Sequence, residues 1–463
     1  MNTWNPRIGR PALVLLACSL GVLIAQIDTS VVSLAVKRIG ADLNASLSGL
    51  QWMVDAYNLV YAALLLTGGA LGDLYGRRRT FVWGVLLFAL GSVVCALAPD
   101  TATLLAGRAV SGLGAALQLP MSLVLLSLAY PEARSRQRAF GIWASCNGLA
   151  FILGPTVGGL LVDTIGWRSI FYLILPFCAG ALLLARIAVE ESAAPEGRHL
   201  DVPGQAAAIA ALGGLAFATI EGGHLGWASA PVIAAAAVAA TGAAAFVLVE
   251  RRKHSGLVPF ELFRSRPFSA SLAIAGLMTF GMYALIFLVP LYVQAARGAS
   301  AIMAGVAMLP LSIVFVAVSQ QNGRIVQTIG ARAAMAGGMA AMGIGELALA
   351  FLAAGRSWWL AAVALSVVGL GLGLNTAPVN SVAVANVPRE RSGTASGLLN
   401  TARIVGATLG VAILGTVFAH FVGSDGTARA LSVGLRAALG LGAFAELAGS
   451  VVAILFIEPE SAH

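Results

Sequence analysis

The chain has 463 residues, 59% of them hydrophobic and only 10% charged, with a mean hydropathy of +0.89; an ordinary soluble domain is about 45–50% apolar and roughly 25% charged. That composition excludes a soluble protein. At about 20 residues per span, roughly fourteen membrane helices would use some 280 residues and leave almost nothing for a domain outside the bilayer. The net charge of +8 is not a nucleic-acid signal, because the basic residues fall in short clusters between apolar runs, as cytoplasmic loops do.

Apolar runs predict helices near residues 11–34, 50–72, 80–98, 103–128, 139–163, 169–188, 203–222, 230–249, 268–294, 301–321, 333–354, 358–385, 394–419 and 436–457. The first follows Arg7 and Arg10 and imitates a signal peptide, but the spans behind it make it an uncleaved first helix. It carries Asp28, and the second carries Trp52, Asp55 and Tyr57. Between the second and third runs the chain reads Gly69-Ala-Leu-Gly-Asp73-Leu-Tyr-Gly76-Arg77-Arg78-Arg79. The fourth run carries Arg108, Gly112-Leu-Gly114 and Pro120, and the fifth carries Gly154-Pro155-Thr-Val-Gly158-Gly159. Later runs contribute Phe280 and Tyr283, then Asn375 and Asn380, then Asn400 and Arg403.

Basic residues test the count of spans. Nineteen fall in one alternate set of loops and adjoining span ends and seven in the other, with Arg108 and Arg403 inside spans. The excess marks the cytoplasmic side, so both termini are expected there. Only Lys37 and Lys253 of the 28 basic residues are lysine, which hints at a GC-rich bacterial genome.

Two ordered sets of glycines echo along the chain. Gly69 and Gly76 followed by Arg78 match Gly323 and Gly330 followed by Arg332, 254 residues on, and Gly141, Gly154 and Gly158 match Gly393, Gly406 and Gly410, 252 residues on. A duplicated half is common in transporters. The plan that follows is six helices in residues 1–200, a two-helix insert in 201–254 and six helices in 255–463.

The chemistry lies in charges placed where charge is expensive. An arginine inside a span costs several kcal/mol on insertion scales unless it meets a partner or water, so Arg108 is a functional candidate. Asp28 and Asp55 are candidate proton carriers, since a carboxyl group taken out of water binds its proton more tightly. Glu221 reads as interfacial, and Glu346 and Glu446 lie on peripheral-looking spans rich in Ala and Gly. Cys18, Cys95, Cys146 and Cys178 sit in apolar runs without metal-ligand spacing and read as small buried hydrophobes. No nucleotide-binding loop and no catalytic constellation occur, so neither an ATP-driven pump nor an enzyme is expected, and the energy must come from an ion gradient.

The loop from Gly69 to Arg79 resembles the signature G-x-L-x-D-x-x-G-R-R-R of the major facilitator superfamily, and the resemblance extends along the whole chain. Ile27-Asp28-Thr29, the Arg108 stretch and Gly154-Pro155-Thr-Val-Gly158-Gly159 are similar to motifs of its fourteen-helix drug:proton antiporters. At the outer end of the first span, Ser-Leu-Ala35-Val-Lys37 replaces that group's usual Asn-Val-Ala-Leu-Pro. The resemblance implies an all-α integral membrane protein of two six-helix bundles and a two-helix insert, in the bacterial inner membrane. It implies a multidrug or antibiotic exporter driven by the proton motive force, without a cofactor or metal, working as a monomer by alternating access. Asp28, Asp55 and Arg108 would couple protons. Gly69, Asp73, Gly76 and Arg77 to Arg79 would form a conformational latch, and Gly154, Pro155, Gly158 and Gly159 the antiporter hinge. Trp52, Tyr57, Phe280, Tyr283, Asn375, Asn380, Asn400 and Arg403 are the pocket candidates, for a substrate that is largely apolar and not a bulky dication. A metabolite or sugar transporter of the same fold and a non-transporting sensor are the rivals; the Gly154-Pro155 motif speaks against the first, the lack of a soluble domain against the second.

Overall fold

A computed structural model describes residues 11–193, 201–252, 260–352, 357–388, 391–423 and 427–458. Among them all regular structure is helical, as expected where the surroundings give a backbone no polar partner but itself. The helices are α1 (Pro11–Leu43), α2 (Leu47–Tyr75), α3 (Arg77–Leu97), α4 (Thr101–Ala129), α5 (Ala133–Leu153), α6 (Gly159–Thr164), α7 (Ser169–Ala188), α8 (Val202–Leu225), α9 (Ala230–Arg252), α10 (Arg266–Arg297), α11 (Ala301–Leu352), α12 (Trp358–Ala385), α13 (Ser392–Val422) and α14 (Ala428–Phe456). A π-turn, Gly154–Gly158, joins α5 to α6. Side chains cap several N-termini: Asp100 accepts from the Thr103 N–H at 2.8 Å, and that bond holds its carboxyl below the usual carboxylate range.

Among the described residues twelve helices are long and apolar enough to cross a membrane, or thirteen when the two arms of α2, bent by 53°, are taken as one span. The bend falls between Leu65 and Thr67. Gln205 of α8 fills it: its amide donates to the Ala63 carbonyl, and the Thr67 hydroxyl donates to its Oε1. Two spans were expected over 301–321 and 333–354, whereas α11 is one 52-residue run interrupted at Gly330, with φ 80° and ψ 157°. Gly76, between α2 and α3, has φ 112° and ψ 130°. Both members of the sequence echo therefore break the helix with the left-handed backbone that glycine alone adopts cheaply.

Helices α1 to α7 pack among themselves, and α10 to α14 do likewise. The pair α8–α9 stands beside them, with α8 touching both α2 and α13. Helix α1 runs on to Leu43, so Lys37 and Arg38, expected in a loop, ride on its last turns. Cys18, Cys95 and Cys178 are buried and Cys146 is partly exposed. The terminal Arg7 and Arg10, together with Arg198, Lys253, Arg356 and Arg389 of the basic count, lie outside the described residues, as do the chain positions at the expected domain boundaries 200 and 254/255.

Candidate functional site

Helix α4 meets α2 at Gly112, where a Cβ would stand 2.5 Å from the Tyr57 carbonyl oxygen. One turn earlier on both helices the same approach brings Arg108 to Met53, whose carbonyl accepts from Nε at 2.9 Å. The guanidinium lies 4.7 Å from the centre of the Tyr57 ring, and Nη1 donates to Oδ2 of Asp28 on α1 at 2.5 Å. Both side chains of this ion pair are 1% exposed. Oδ1 of Asp28 has no hydrogen-bond partner among the described residues. Asp55 is fully buried; among the described residues neither oxygen is in full hydrogen-bond geometry, and the Asn58 amide stands beside it. The fold thus brings Asp28 and Arg108 together across 80 residues of chain and sets Asp55 in the same bundle as an unpaired acid.

The loop between α2 and α3 is built differently from the expected latch. Asp73 pairs with Arg77, four residues on across the break at Gly76, at 2.8 Å. Arg78 and Arg79 instead turn to Glu191, beyond the end of α7, which accepts from their backbone N–H groups at 3.0 and 3.1 Å. Glu191 therefore caps the N-terminus of α3, whose own N-cap, Gly76, has no side chain. Sequence reading missed it; the acidic pair Glu190-Glu191 just past a span end, on the side that carries the basic clusters, was the available signal. Gly69 faces open space, while its neighbours Gly68 and Gly72 lie against the Ala116 carbonyl and the Met121 sulfur. The close contact of α2 with α4 falls there because helical spacing turns Gly69 away. Glu191→Ala is expected to lower stability by about 1–2 kcal/mol and Asp73→Asn by less than about 1 kcal/mol, so thermal denaturation should rank the two in that order.

The Gly154–Gly159 stretch folds as the π-turn and the first residue of α6. Gly154 and Gly158 pack on Ser30 and Val31 of α1. Gly159 faces α11, where a Cβ would stand 2.7 Å from the Ile302 Cα, and Gly305 of α11 faces the Pro155 carbonyl. At the end of α6 the Asp163 carboxylate accepts from the backbone N–H groups of Ala301 and Ile302 at 3.0 and 2.8 Å. Lys37 Nζ donates to the Gln294 carbonyl at 2.5 Å, Gln294 Nε2 to the Leu34 carbonyl at 3.0 Å, and Gln51 Nε2 to the carbonyls of Val411 and Ala412 at 3.2 and 3.1 Å. The two halves are closed on each other at this end. The Asp73–Arg79 loop lies at the other end, and among the described residues the ion pairs of Arg77, Arg78 and Arg79, to Asp73 and Glu191, stay within its own half.

The pocket candidates separate. Tyr57 is 2% exposed beneath Arg108 and stacks near Tyr61 and Phe88. Phe280, Tyr283, Asn380, Asn400 and Arg403 are half-buried. Two assignments are corrected. Asn375 is fully buried against Gly338 and donates to the Gly371 carbonyl within its own helix, so it serves the α11–α12 contact. Trp52 Nε1 donates to Glu221 at 2.8 Å, so both belong to the contact of α2 with α8, and Glu221 is not simply interfacial. Glu346 and Glu446 are not peripheral either: both are fully buried, and a Cβ on Gly281 would stand 3.1 and 2.5 Å from their respective Oε1 atoms. Among the described residues no three His, Cys, Asp or Glu side chains converge as a metal would need.

The sequence profile of the Major Facilitator Superfamily matches residues 18–411. Multidrug resistance protein Stp of Mycobacterium tuberculosis (strain CDC 1551 / Oshkosh) is 40% identical over 410 residues, 89% of this chain and 76% of that one. Methylenomycin A resistance protein of Streptomyces coelicolor is 37% identical over 403 residues, 87% of this chain and 84% of that one. Among solved structures, a bacterial homologue of the human lysosomal transporter Spinster superposes with a TM-score of 0.71 at 18% identity, covering 96% of each chain.

Proposed function

The chain belongs to the Major Facilitator Superfamily, and from that premise we propose that it exports drugs or antibiotics across the bacterial inner membrane in exchange for protons. Its family and relatives are membrane transporters rather than enzymes, and relatives matched over most of the chain are named for multidrug and methylenomycin resistance. Taking α2 as one span and parting α11 at Gly330 turns twelve apolar helices into fourteen; at about 1.5 Å per residue, 52 residues far exceed one crossing of an apolar layer about 30 Å thick. The bundles are then 1–200 and 255–463, with the insert 201–254 between them.

The observation that carries proton coupling is the buried Arg108–Asp28 pair in the same bundle as the unpartnered Asp55. A proton and the guanidinium compete for one carboxylate, so protonating Asp28 releases Arg108, and restoring the pair expels the proton. Asp55 offers a second acid with no ion pair to break among the described residues. With the basic loops on the cytoplasmic side, the closed end faces outward and the state is inward-facing, ready to take substrate from the cytoplasm or inner leaflet. Alternating access follows when the Lys37 and Asp163 contacts part and the other end closes. Both halves of the path come from one chain, so the monomer is the working unit and the proton gradient, rather than a cofactor, supplies the energy.

Asp55→Asn replaces a buried carboxyl that breaks no ion pair, with only the Asn58 amide beside it, so the variant should fold and insert normally. In liposomes with a trapped pH dye, substrate-driven proton movement should be sharply reduced in Asp55→Asn and absent in the Asp28→Asn/Asp55→Asn double variant. Full coupling in the double variant would overturn the assignment.

A further inference from the structure

Two arginines lie inside the spans, and only one has its charge matched. Arg108 is held by Asp28. Arg403 of α13 makes no ion pair among the described residues: one Nη donates to the Thr376 carbonyl of α12 at 3.3 Å, and its Nε is buried without any acceptor. Its backbone is fixed, since the Arg403 carbonyl accepts from the Thr279 hydroxyl of α10 at 2.6 Å. The phenols of Tyr61, from the other half, and Tyr283 are close enough to act on its charge. The other buried acids of the C-terminal half, Glu346 and Glu446, face each other beside Gly281.

The depth of this group also matters. Arg403 precedes Val411, where Gln51 closes the seam, by about 12 Å of helix at 1.5 Å per residue, and Tyr61 follows Gln51 by about 15 Å. Both therefore lie at comparable depth, well inside the closed end, where the proposed inward-facing state would admit substrate. Arginine does not give up its proton, so the site holds an uncompensated cation in a region of low dielectric, and an unpaired charge there is unfavourable until it meets its opposite.

We propose that Arg403 is the anion receptor of the transport site, and that the exported compounds carry an acidic group, a carboxylate or an ionised phenol or enol, on an apolar or aromatic body lying against Tyr61 and Tyr283. The inference rests on the efflux reading and narrows it from compounds that are merely not dications to compounds with one negative group. A carboxylate engages the guanidinium edge through two parallel N–H bonds, which an ester of the same shape does not reproduce.

The matched probes are the fluorescent 9-anthracenecarboxylic acid and its methyl ester, titrated against the full chain in nanodiscs of neutral phosphatidylcholine at pH 7. The acid is expected to bind at least about ten-fold more tightly than the ester, the size of one charge-assisted hydrogen bond. Arg403→Gln should abolish the preference, and Arg403→Lys should keep part of it, because lysine retains the charge but not the fork. Equal binding of acid and ester by the native chain, binding of neither, or an undiminished preference in Arg403→Gln would each overturn the inference. Should Arg403→Gln fail to fold, the acid-to-ester ratio of the native chain and of Arg403→Lys decides. Competition by phosphatidylglycerol vesicles as strong as by the acid itself would make the group a lipid site and also overturn the proposal. The efflux reading is tested separately, by drug resistance in a pump-deficient host: resistance without acid selectivity leaves efflux standing and sinks only this inference.

Discussion

Arg108→Ala is expected to abolish export and to destabilise the protein by about 3–5 kcal/mol, the usual consequence of leaving one member of a buried ion pair alone. The alanine removes the partner of Asp28, the bond to the Met53 carbonyl and the contact with the Tyr57 ring together. The pairing thus makes a folding defect accompany the loss of turnover. A neutral double variant, Asp28→Asn/Arg108→Gln, separates the two effects. It leaves no uncompensated charge, so it should recover most of the thermal stability while remaining unable to couple protons to efflux. Normal export by Arg108→Ala would remove the pair from the mechanism.

Gly305→Leu is expected to reduce export strongly by prising open the closed end. A Cβ there meets the Pro155 carbonyl, a backbone atom of the π-turn that has no rotamer with which to move aside, and forced overpacking of this kind costs about 1–3 kcal/mol. Spent on one conformation only, that shifts a two-state population by about ten- to a hundred-fold. The readout is a cysteine at Ser33 or Ser312, both buried just inside the seam, in a chain otherwise free of cysteine. An impermeant maleimide added outside should label it at least about ten-fold faster in Gly305→Leu. Gly213→Ala, where nothing stands within 4 Å, is the control. Unchanged labelling would mean that the α6–α11 contact does not close the path.

Much of this was legible in the sequence because charge is rare in it. Asp28, Asp55 and Arg108 stood out against apolar runs, and the glycine echoes at 76 and 330 anticipated two helix breaks. What the sequence withheld was direction around each helix. Spans that are apolar on every side show no buried face by periodicity, so Glu346 and Glu446 read as peripheral although they meet in a core, and Asn375 read as a pocket residue although it ties α12 to α11. Pairings distant along the chain were equally hidden, among them Asp28 with Arg108, Glu191 with the start of α3, and Gln205 with the bend of α2. The Gly154-Pro155 stretch announced an irregular helix, but not that the irregularity would be a π-turn pressed against the other half.

The hydrogen bonds described above as joining the two halves share one property. Lys37, Gln51, Gln294 and Asp163 each reach with a side chain to main-chain atoms of the opposite half, at Gln294, Val411 and Ala412, Leu34, and Ala301 and Ile302. A carbonyl is offered by every amino acid, and an N–H by all but proline. The receiving positions are therefore free to mutate without loss of the bond, and at these bonds a change on one side calls for no matching change on the other. Correlated substitution should be sparse among these hydrogen-bonded positions and concentrated instead where side chains of the two halves meet directly, as Phe151 meets Phe315.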